Sequence, residues 1–163
     1  PVIPGYSQNN RPFISICGGK PTVFINRPLA KELGIVEGMN VAFYSDNSSE
    51  DKKYIWALFV TKNTTISLEV RNGSRPNTLR VSSKKWVEQM SKTFRISKGK
   101  TVRLYVDVKN PVEINERGET VRIYVIFDIP PLRQDLNKEE LEAYNEEYIQ
   151  QQIKLKQYGI SKH

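Results

Sequence analysis

The chain has almost none of the residues on which covalent cross-links and most metal sites depend. Among its 163 residues there are one cysteine and one histidine. Cys17 cannot form a disulfide within the chain, which favours a reducing compartment. Its place in the apolar run PFISIC favours a buried structural thiol over a reactive one. With His163 as the only histidine, a zinc site or a histidine-based catalytic set is nearly excluded. We therefore expect no metal and no cofactor, and a cytoplasmic protein or, for a viral component, a virion protein.

Long apolar runs and catalytic motifs are missing as well. No run reaches the roughly 18 apolar residues of a membrane span, and no secretory signal is visible, so we expect no membrane partner. The sequence has no GxGxxG, P-loop or serine-centred nucleophile motif. The carboxylate pairs Glu139-Glu140 and Glu146-Glu147 fall on the exposed side of a predicted helix, as is typical of a solvated face. We therefore predict that the protein is not an enzyme.

The net charge of +7 is concentrated in one part of the chain. Within residues 71–103, ten Lys or Arg stand against one acid, Glu88, whereas residues 129–163 are slightly acidic. Local basicity of this kind indicates nucleic acid or another polyanion as a partner, and a solvated basic surface without a partner is the alternative. The candidate nucleic-acid-binding residues in this segment are Arg71, Arg75, Arg80, Lys84, Lys85, Arg95, Lys98, Lys100 and Arg103.

The chain contains one pattern twice. The stretch from Thr22 to Tyr44 matches the stretch from Thr78 to Tyr105 at offsets of 56 in the strand, 57 in the helix and 61 after it. Each copy follows a further strand and precedes another. The sequence therefore predicts two ββαββ repeats, residues 12–62 and 65–128. Because one unit has too few strands to cover its own sheet, we expect the two to close a mainly β, pseudo-two-fold barrel over residues 12–128.

Local signals place the predicted elements. Asn26 with Pro28 begins the first helix and Gly34 ends it, and Ser82 or Ser83 begins the second. Trp86 takes the place of Leu29 in the repeat, which favours a core tryptophan over a base-stacking one. Polar loops are expected at residues 46–53 and around Pro111. The predicted strands are Phe13–Cys17, Thr22–Ile25, Val41–Ser45, Tyr54–Thr61, Ile66–Arg71, Thr78–Val81, Thr101–Val108 and Thr120–Phe127.

The two ends of the chain differ from the repeats. Residues 1–11 have no periodicity and are predicted to form a flexible arm. Residues 129–163 contain a Pro-rich linker and then an amphipathic C-terminal helix, with Asn137 and Glu140 as a possible capping box. This helix either packs on its own barrel or docks on a protein partner or a second copy. The residues on its apolar seam that are candidates for partner binding are Leu141, Tyr144, Tyr148, Leu155 and Tyr158.

The string TVFINRPLAKELGIVEGMNVAFY, preceded by a strand and a Gly-Lys turn, resembles the swapped-hairpin barrel of AbrB-like proteins, which belong to the wider cradle-loop group. The matching residues are Leu33, Gly34, Ile35, Glu37 and Gly38 at the helix exit, Gly19 and Lys20 in the turn, and Ile96 and Gly99 in the second copy. The family usually builds its barrel from two chains that exchange hairpins. The resemblance therefore implies that the tandem copies supply both halves within one chain.

The resemblance also implies where DNA would bind. AbrB-like regulators contact DNA through basic residues on the turn before the return strand and on the short helix. These positions correspond to Lys20 and Lys31 in the first copy and to Arg75 in the second. Glu88 stands at the position that matches Lys31, and Lys84 and Lys85 lie one turn earlier. The two copies thus differ in their candidate contacts.

Two functions remain open on the sequence. The first is a non-enzymatic nucleic-acid-binding module of weak sequence specificity, because no base-reading signature is evident. The second is a structural or assembly protein of a virion or multi-subunit complex, which would use the terminal arm and the C-terminal helix for subunit contacts.

Overall fold

The structure, a computed structural model, describes residues 11–45, 56–75, 78–116 and 118–157, and the side chains of these except 116 and 151–157. Residues 1–10 of the predicted arm, the loop at 46–53 and Tyr158 lie outside the described residues. The strands are β1 Phe13–Cys17, β2 Thr22–Ile25, β3 Asn40–Ser45, β4 Trp56–Thr61, β5 Leu68–Glu69, β6 Arg71–Asn72, β7 Leu79–Ser82, β8 Thr101–Val106, β9 Val112–Glu116 and β10 Glu119–Phe127. The helices are α1 Arg27–Leu33, α2 Lys84–Thr93 and α3 Lys138–Gln157, with a 3₁₀ turn at Pro130–Leu132.

Nine strands follow one another in a single antiparallel path, β5-β3-β4-β10-β8-β1-β2-β7-β6, and β9 pairs with β10 beside it. The path forms a nearly closed barrel. Alternate residues of its strands turn inward, and the apolar face that they form is buried in the interior. Ile14, Ile16 and Val23 are fully buried in this interior. The prediction of a mainly β barrel of two ββαββ repeats with a C-terminal helix is confirmed.

At two places in the strand path, equivalent strands of the two repeats lie side by side. β2 pairs with β7 at one point and β4 with β10 at the other. The residues that face inward on β2 and β7 correspond at the offset of 56, since Val23 and Ile25 match Leu79 and Val81. A barrel closed in this way places each half of the chain beside the other rather than in a separate lobe.

The two short helices begin and end in corresponding ways. Asn26 Oδ1 accepts a hydrogen bond from the backbone N–H of Leu29 and so caps α1, and Ser83 rather than Ser82 caps α2. Each helix ends in a residue with positive φ, which is Gly34 in α1 and Arg95 after α2. Arg95 is the only non-glycine residue with positive φ in the described part of the chain. The exit of α2 is therefore more strained than that of α1.

The segment around Val70 joins the two ends of the strand path. The predicted strand Ile66–Arg71 is instead two short strands, β5 and β6, separated by Val70. The backbone N–H of Val70 donates to Met39 O at 2.8 Å, and its carbonyl accepts from Gly38 N at 2.9 Å. Val70 is fully buried. The chain crosses here from β3 to β7, and the crossing breaks the predicted strand into two.

A second, smaller core lies on the outer face of the barrel. The loop expected around Pro111 is present at residues 107–111, but the expectation that it continues to ERGE is wrong, because residues 112–116 form β9, which pairs with β10. The residues of this outer core are Ala42, Ala57, Phe59 and Ile123, with Val112, Ile114 and Val121 packed against them. Both faces of β4 are covered, since Trp56 to Phe59 are all buried.

Two further outcomes concern single features. The sequence predicted a buried Cys17, whereas the residue is half-buried on the outward side of β1. Asn137 and Glu140 do form the capping box, with hydrogen bonds of 2.8 and 3.0 Å between each side chain and the other's backbone N–H. Among the helices that the structure describes, none has the length and apolarity needed to cross a membrane.

Candidate nucleic-acid interface

A row of five residues crosses the outer face of the sheet from β8 to β6. The cross-strand partners are Arg103 with Ser15, Ser15 with Phe24, Phe24 with Arg80, and Arg80 with Arg71. We call these five residues the arginine row. Because neighbouring strands lie about 4.8 Å apart, Arg103 and Arg80 are about 14 Å apart along the row, and Arg71 lies about 5 Å further on. The outward positions of β8, β1, β2, β7 and β6 carry no carboxylate, but Glu69 of the adjoining strand β5 forms an ion pair with Arg71 at 3.4 Å.

The middle of the arginine row opens into a groove of about 400 Å³. Phe13, Phe24, Arg75 and Arg103 line it, together with polar side chains such as Thr78. The Arg103 guanidinium lies 4.7 Å from the centre of the Phe13 ring. Arg75, which the sequence places in a turn, therefore reaches the same surface as the arginine row. The groove combines aromatic rings with arginines, and this combination suits planar, anionic ligands.

Five lysines lie together at one end of the barrel, beyond the ends of β1 and β7. The backbone N–H of Gly18 donates to Lys100 O at 3.0 Å, and the side chain of Lys98 lies against Gly19. The backbone N–H of Ser83, which precedes α2, donates to Pro21 O at 2.7 Å. We call this group the lysine end, and its members are Lys20, Lys84, Lys85, Lys98 and Lys100, all of them exposed. It begins about 10 Å along the strands from the arginine row.

Two of the predicted binding residues lie elsewhere. Lys31 is exposed on α1, where it lines a different groove together with Arg27 and Lys109. Arg95 forms an ion pair with Glu147 of α3, and its guanidinium lies 5.8 Å from the centre of the Tyr144 ring. Arg95 therefore links α2 to the C-terminal helix, and the structure does not bring it to the arginine row or the lysine end.

Trp86 is half-buried and packs on the barrel core, as the repeat suggested. Its ring contacts Trp56 edge to face, with ring centres 5.5 Å apart, and Phe43 at 6.0 Å. The Lys85 ammonium lies 5.7 Å from the centre of the Trp86 ring. Phe24, with 38% of its surface exposed, is a more accessible ring than Trp86.

A buried polar cluster, which the sequence did not reveal, anchors α3 to the barrel. The Arg133 side chain donates five hydrogen bonds of 2.7–2.8 Å: one to Asp128, two to Asp135 and one each to the carbonyls of Phe94 and Arg95. These use all five N–H groups of the guanidinium. Two signals were available in the sequence, an Asp and an Arg within the Pro-containing linker, and tyrosines in place of aliphatic residues on the helix seam.

Tyr144 and Tyr148 complete this cluster from α3. The Tyr144 hydroxyl donates to Asp128 Oδ2 at 2.6 Å, and the Tyr148 hydroxyl accepts from the Asp128 backbone N–H at 2.8 Å. Both side chains are buried on the chain's own barrel, while Leu141 is half-buried. For these two tyrosines the structure corresponds to the alternative in which the helix packs on its own barrel. The side chain of Leu155 lies outside the described residues.

Burial raises the pKa of several groups in the cluster. It raises the pKa of Asp128, and hydrogen bonds from Tyr144 and Arg133 oppose that shift. Burial likewise raises the pKa values of Tyr144 and Tyr148 above the ordinary value for a phenol. Hydrogen bonds from Arg133 lower the pKa of Asp135. The cluster is thus a structural anchor with the tyrosines in their neutral form.

No protein-family model, no curated protein and no solved structure shows a significant match to the chain.

Proposed function

We propose that the protein is a non-enzymatic nucleic-acid-binding module that contacts phosphates through the arginine row and the lysine end. The observation that carries the proposal is the sheet face on which Arg71, Arg80 and Arg103 lie in one row with no carboxylate at the outward positions of its strands. A solvated face normally mixes charges of both signs in similar numbers, whereas a face with an excess of positive charge attracts polyanions. Glu69, which pairs with Arg71, is a carboxylate at the edge of this face.

The kind of side chain on this face supports phosphate as the ligand. An arginine presents a planar fork of N–H donors that matches two phosphate oxygens at once, and the lysines add point charges that steer association. Arg80 uses its Nε–H to donate to Asn72 O at 3.2 Å, which holds the side chain over the sheet. This hydrogen bond uses only the Nε–H, so the terminal N–H groups of the guanidinium can serve a phosphate.

The AbrB-like resemblance supports the proposal for two of the three residues that it selects. Lys20 and Arg75, which the resemblance selects, lie at the lysine end and beside the arginine row. Lys31, which it also selects, lies on a different groove. We propose weak sequence specificity, because residues on a broad sheet face contact phosphates more readily than base edges.

The salt dependence of binding tests this proposal. If five or six side chains contact phosphates of duplex DNA, a plot of log K against log salt concentration should have a slope of about −5. Fluorescence anisotropy with a labelled 20-base-pair duplex, from low to moderate salt, measures this slope. An affinity that does not change with salt would contradict the proposal.

Two double charge reversals locate the surface. Lys84→Glu with Lys85→Glu should weaken binding far more than Arg27→Glu with Lys31→Glu, because only the first pair belongs to the lysine end. Each double variant replaces two exposed, helical cations by two anions, so the change in net charge is the same in both. Equal losses would show that total charge, and not this surface, drives association. Light scattering on the free and DNA-bound protein gives the stoichiometry.

A further inference from the structure

We propose that Phe24 is a base-stacking platform for single-stranded nucleic acid, with the arginine row binding the phosphates on either side. This inference rests on the nucleic-acid-binding function proposed above and adds the strandedness of the ligand. It starts from an unusual exposure: the barrel buries one side of β2, and period-two alternation directs Phe24 to the other side.

The Phe24 ring is held in place and only partly covered, with 38% of the residue exposed. Its neighbours on β2, Val23 and Ile25, are buried, so the strand under the ring is fixed. Phe24 is one of only a few large hydrophobic residues that are exposed in the described part of the chain, and no described aromatic ring contacts it. An aromatic ring presented by a rigid strand loses little entropy when a ligand stacks on it.

Charge surrounds the ring on both sides. Arg80 is the direct cross-strand neighbour of Phe24, and Arg103 lies two strands away on the opposite side, beyond Ser15. Arg75 reaches the same groove. A base on Phe24 would therefore have its flanking phosphates within reach of guanidinium groups. Stacking aromatic residues in a basic groove is the arrangement by which proteins bind single strands without reading their sequence.

The groove favours a single strand over a duplex. Its volume of about 400 Å³ is within the range of small-molecule sites and suits one base with part of its sugar. In a duplex, the faces of the bases are already stacked, and opening a step costs free energy. A duplex would thus contact the arginines and the lysine end but leave Phe24 unused.

The test compares one substitution on two ligands. Binding of a labelled 12-nucleotide oligothymidylate and of a 20-base-pair duplex is measured by fluorescence anisotropy at one salt concentration. Loss of one stacked base should weaken oligothymidylate binding by about 5- to 140-fold in Phe24→Ala. Duplex binding should change less than twofold. Phe24→Leu should behave like Phe24→Ala because it keeps the apolar surface and removes the ring face, and Phe24→Trp should retain binding.

Two further variants make the result specific. Ile149→Ala is the matched control, since Ile149 is also an exposed apolar residue, with 49% of its surface accessible, and lies on α3, which carries no residue of the row. It should leave both affinities unchanged. Arg80→Gln should weaken oligothymidylate binding and reduce its salt slope by about 0.7, whereas Phe24→Ala should leave that slope unchanged, because stacking releases no counterions.

The stacking site would be overturned by unchanged oligothymidylate binding in Phe24→Ala, by an equal loss on both ligands, or by a wild-type protein that binds duplex but not the single strand. A change of oligomeric state in Phe24→Ala without a change in affinity would also overturn it and would assign the ring to self-association. Absence of binding to either ligand at low salt would instead refute the proposed function itself.

Discussion

Replacing Arg133 by Met should destabilise the protein strongly, although the residue lies in a stretch that the sequence marks only as a linker. Met keeps an unbranched apolar side chain of similar reach but removes all five hydrogen bonds. The Arg133, Asp128 and Asp135 side chains are 3%, 1% and 8% exposed. The substitution leaves the Asp128 carboxylate buried without its cation and the carbonyls of Phe94 and Arg95 without this donor.

The magnitude follows from burial. Removing one partner of a buried ion pair costs about 3–5 kcal/mol, because the other charge stays desolvated. A domain is stable by only about 5–15 kcal/mol, so the loss is a large fraction of the whole. At about 2–4 °C per kcal/mol for a chain of this size, Tm should fall by roughly 6–20 °C. Urea unfolding followed by the fluorescence of Trp56 and Trp86, which lie in or against the core, measures the loss.

Arg122→Met is the matched control. Arg122 pairs with Glu113 at 3.7 Å, and both side chains are more than half exposed. An exposed pair of this kind contributes at most about 1 kcal/mol. If Arg133→Met and Arg122→Met cost the same, the cluster does not anchor the fold. A double-mutant cycle with Asp128→Asn should give a coupling free energy of about 0.5–3 kcal/mol, and additive losses would contradict a direct charge interaction.

Three other changes test separate parts of the fold. Gly34→Ala should cost about 1–2 kcal/mol, because a Cβ would meet no atom within 4 Å and the whole cost is the positive φ of 67°. Phe59→Ala should cost about 3–5 kcal/mol in urea unfolding and Phe24→Ala clearly less, because Phe59 is 4% exposed under β9 and β10 whereas Phe24 is 38% exposed. The raised pKa values of Tyr144 and Tyr148 stabilise the fold fully below pH 10, and this contribution is lost as pH rises further, since the unfolded phenols ionise first.

Each of these has a result that would contradict it. An unchanged unfolding free energy in Gly34→Ala would mean that the exit of α1 tolerates another conformation. Equal costs for the two phenylalanines would contradict the packing of Phe59 in the outer core. Absorbance at 295 nm follows tyrosine ionisation, and two of the eight tyrosines should ionise only when the protein unfolds. A titration in which all tyrosines ionise near pH 10 in the folded protein would refute the burial of this pair.

The sequence determined the elements whose signals are local. Alternating apolar residues predicted the strands. Asn26 and Gly34 predicted the two ends of α1, because a capping side chain and a glycine stand within one short stretch. The capping box of Asn137 and Glu140 was equally local. The concentration of basic residues within 71–103 was visible because charge can be counted along the chain.

Only the tertiary structure decided which residues share a surface. Arg71, Arg80 and Arg103 meet Ser15 and Phe24 in one row because strand register is set by pairing between distant segments, which no local pattern encodes. The tertiary structure also separates residues of the basic segment 71–103, since Arg95 lies against α3 and four of the lysines lie at the lysine end.

The buried cluster shows the same limit for polar residues. A desolvated charge is tolerated only when partners from elsewhere satisfy it, and here Asp128 and Arg133 meet Tyr144, Tyr148 and the carbonyls that end α2. Those partners come from two separate elements, α3 and the end of α2. Composition and periodicity thus determined a duplicated, basic β-barrel, and the long-range pairing of its strands and polar groups decided where a ligand would bind.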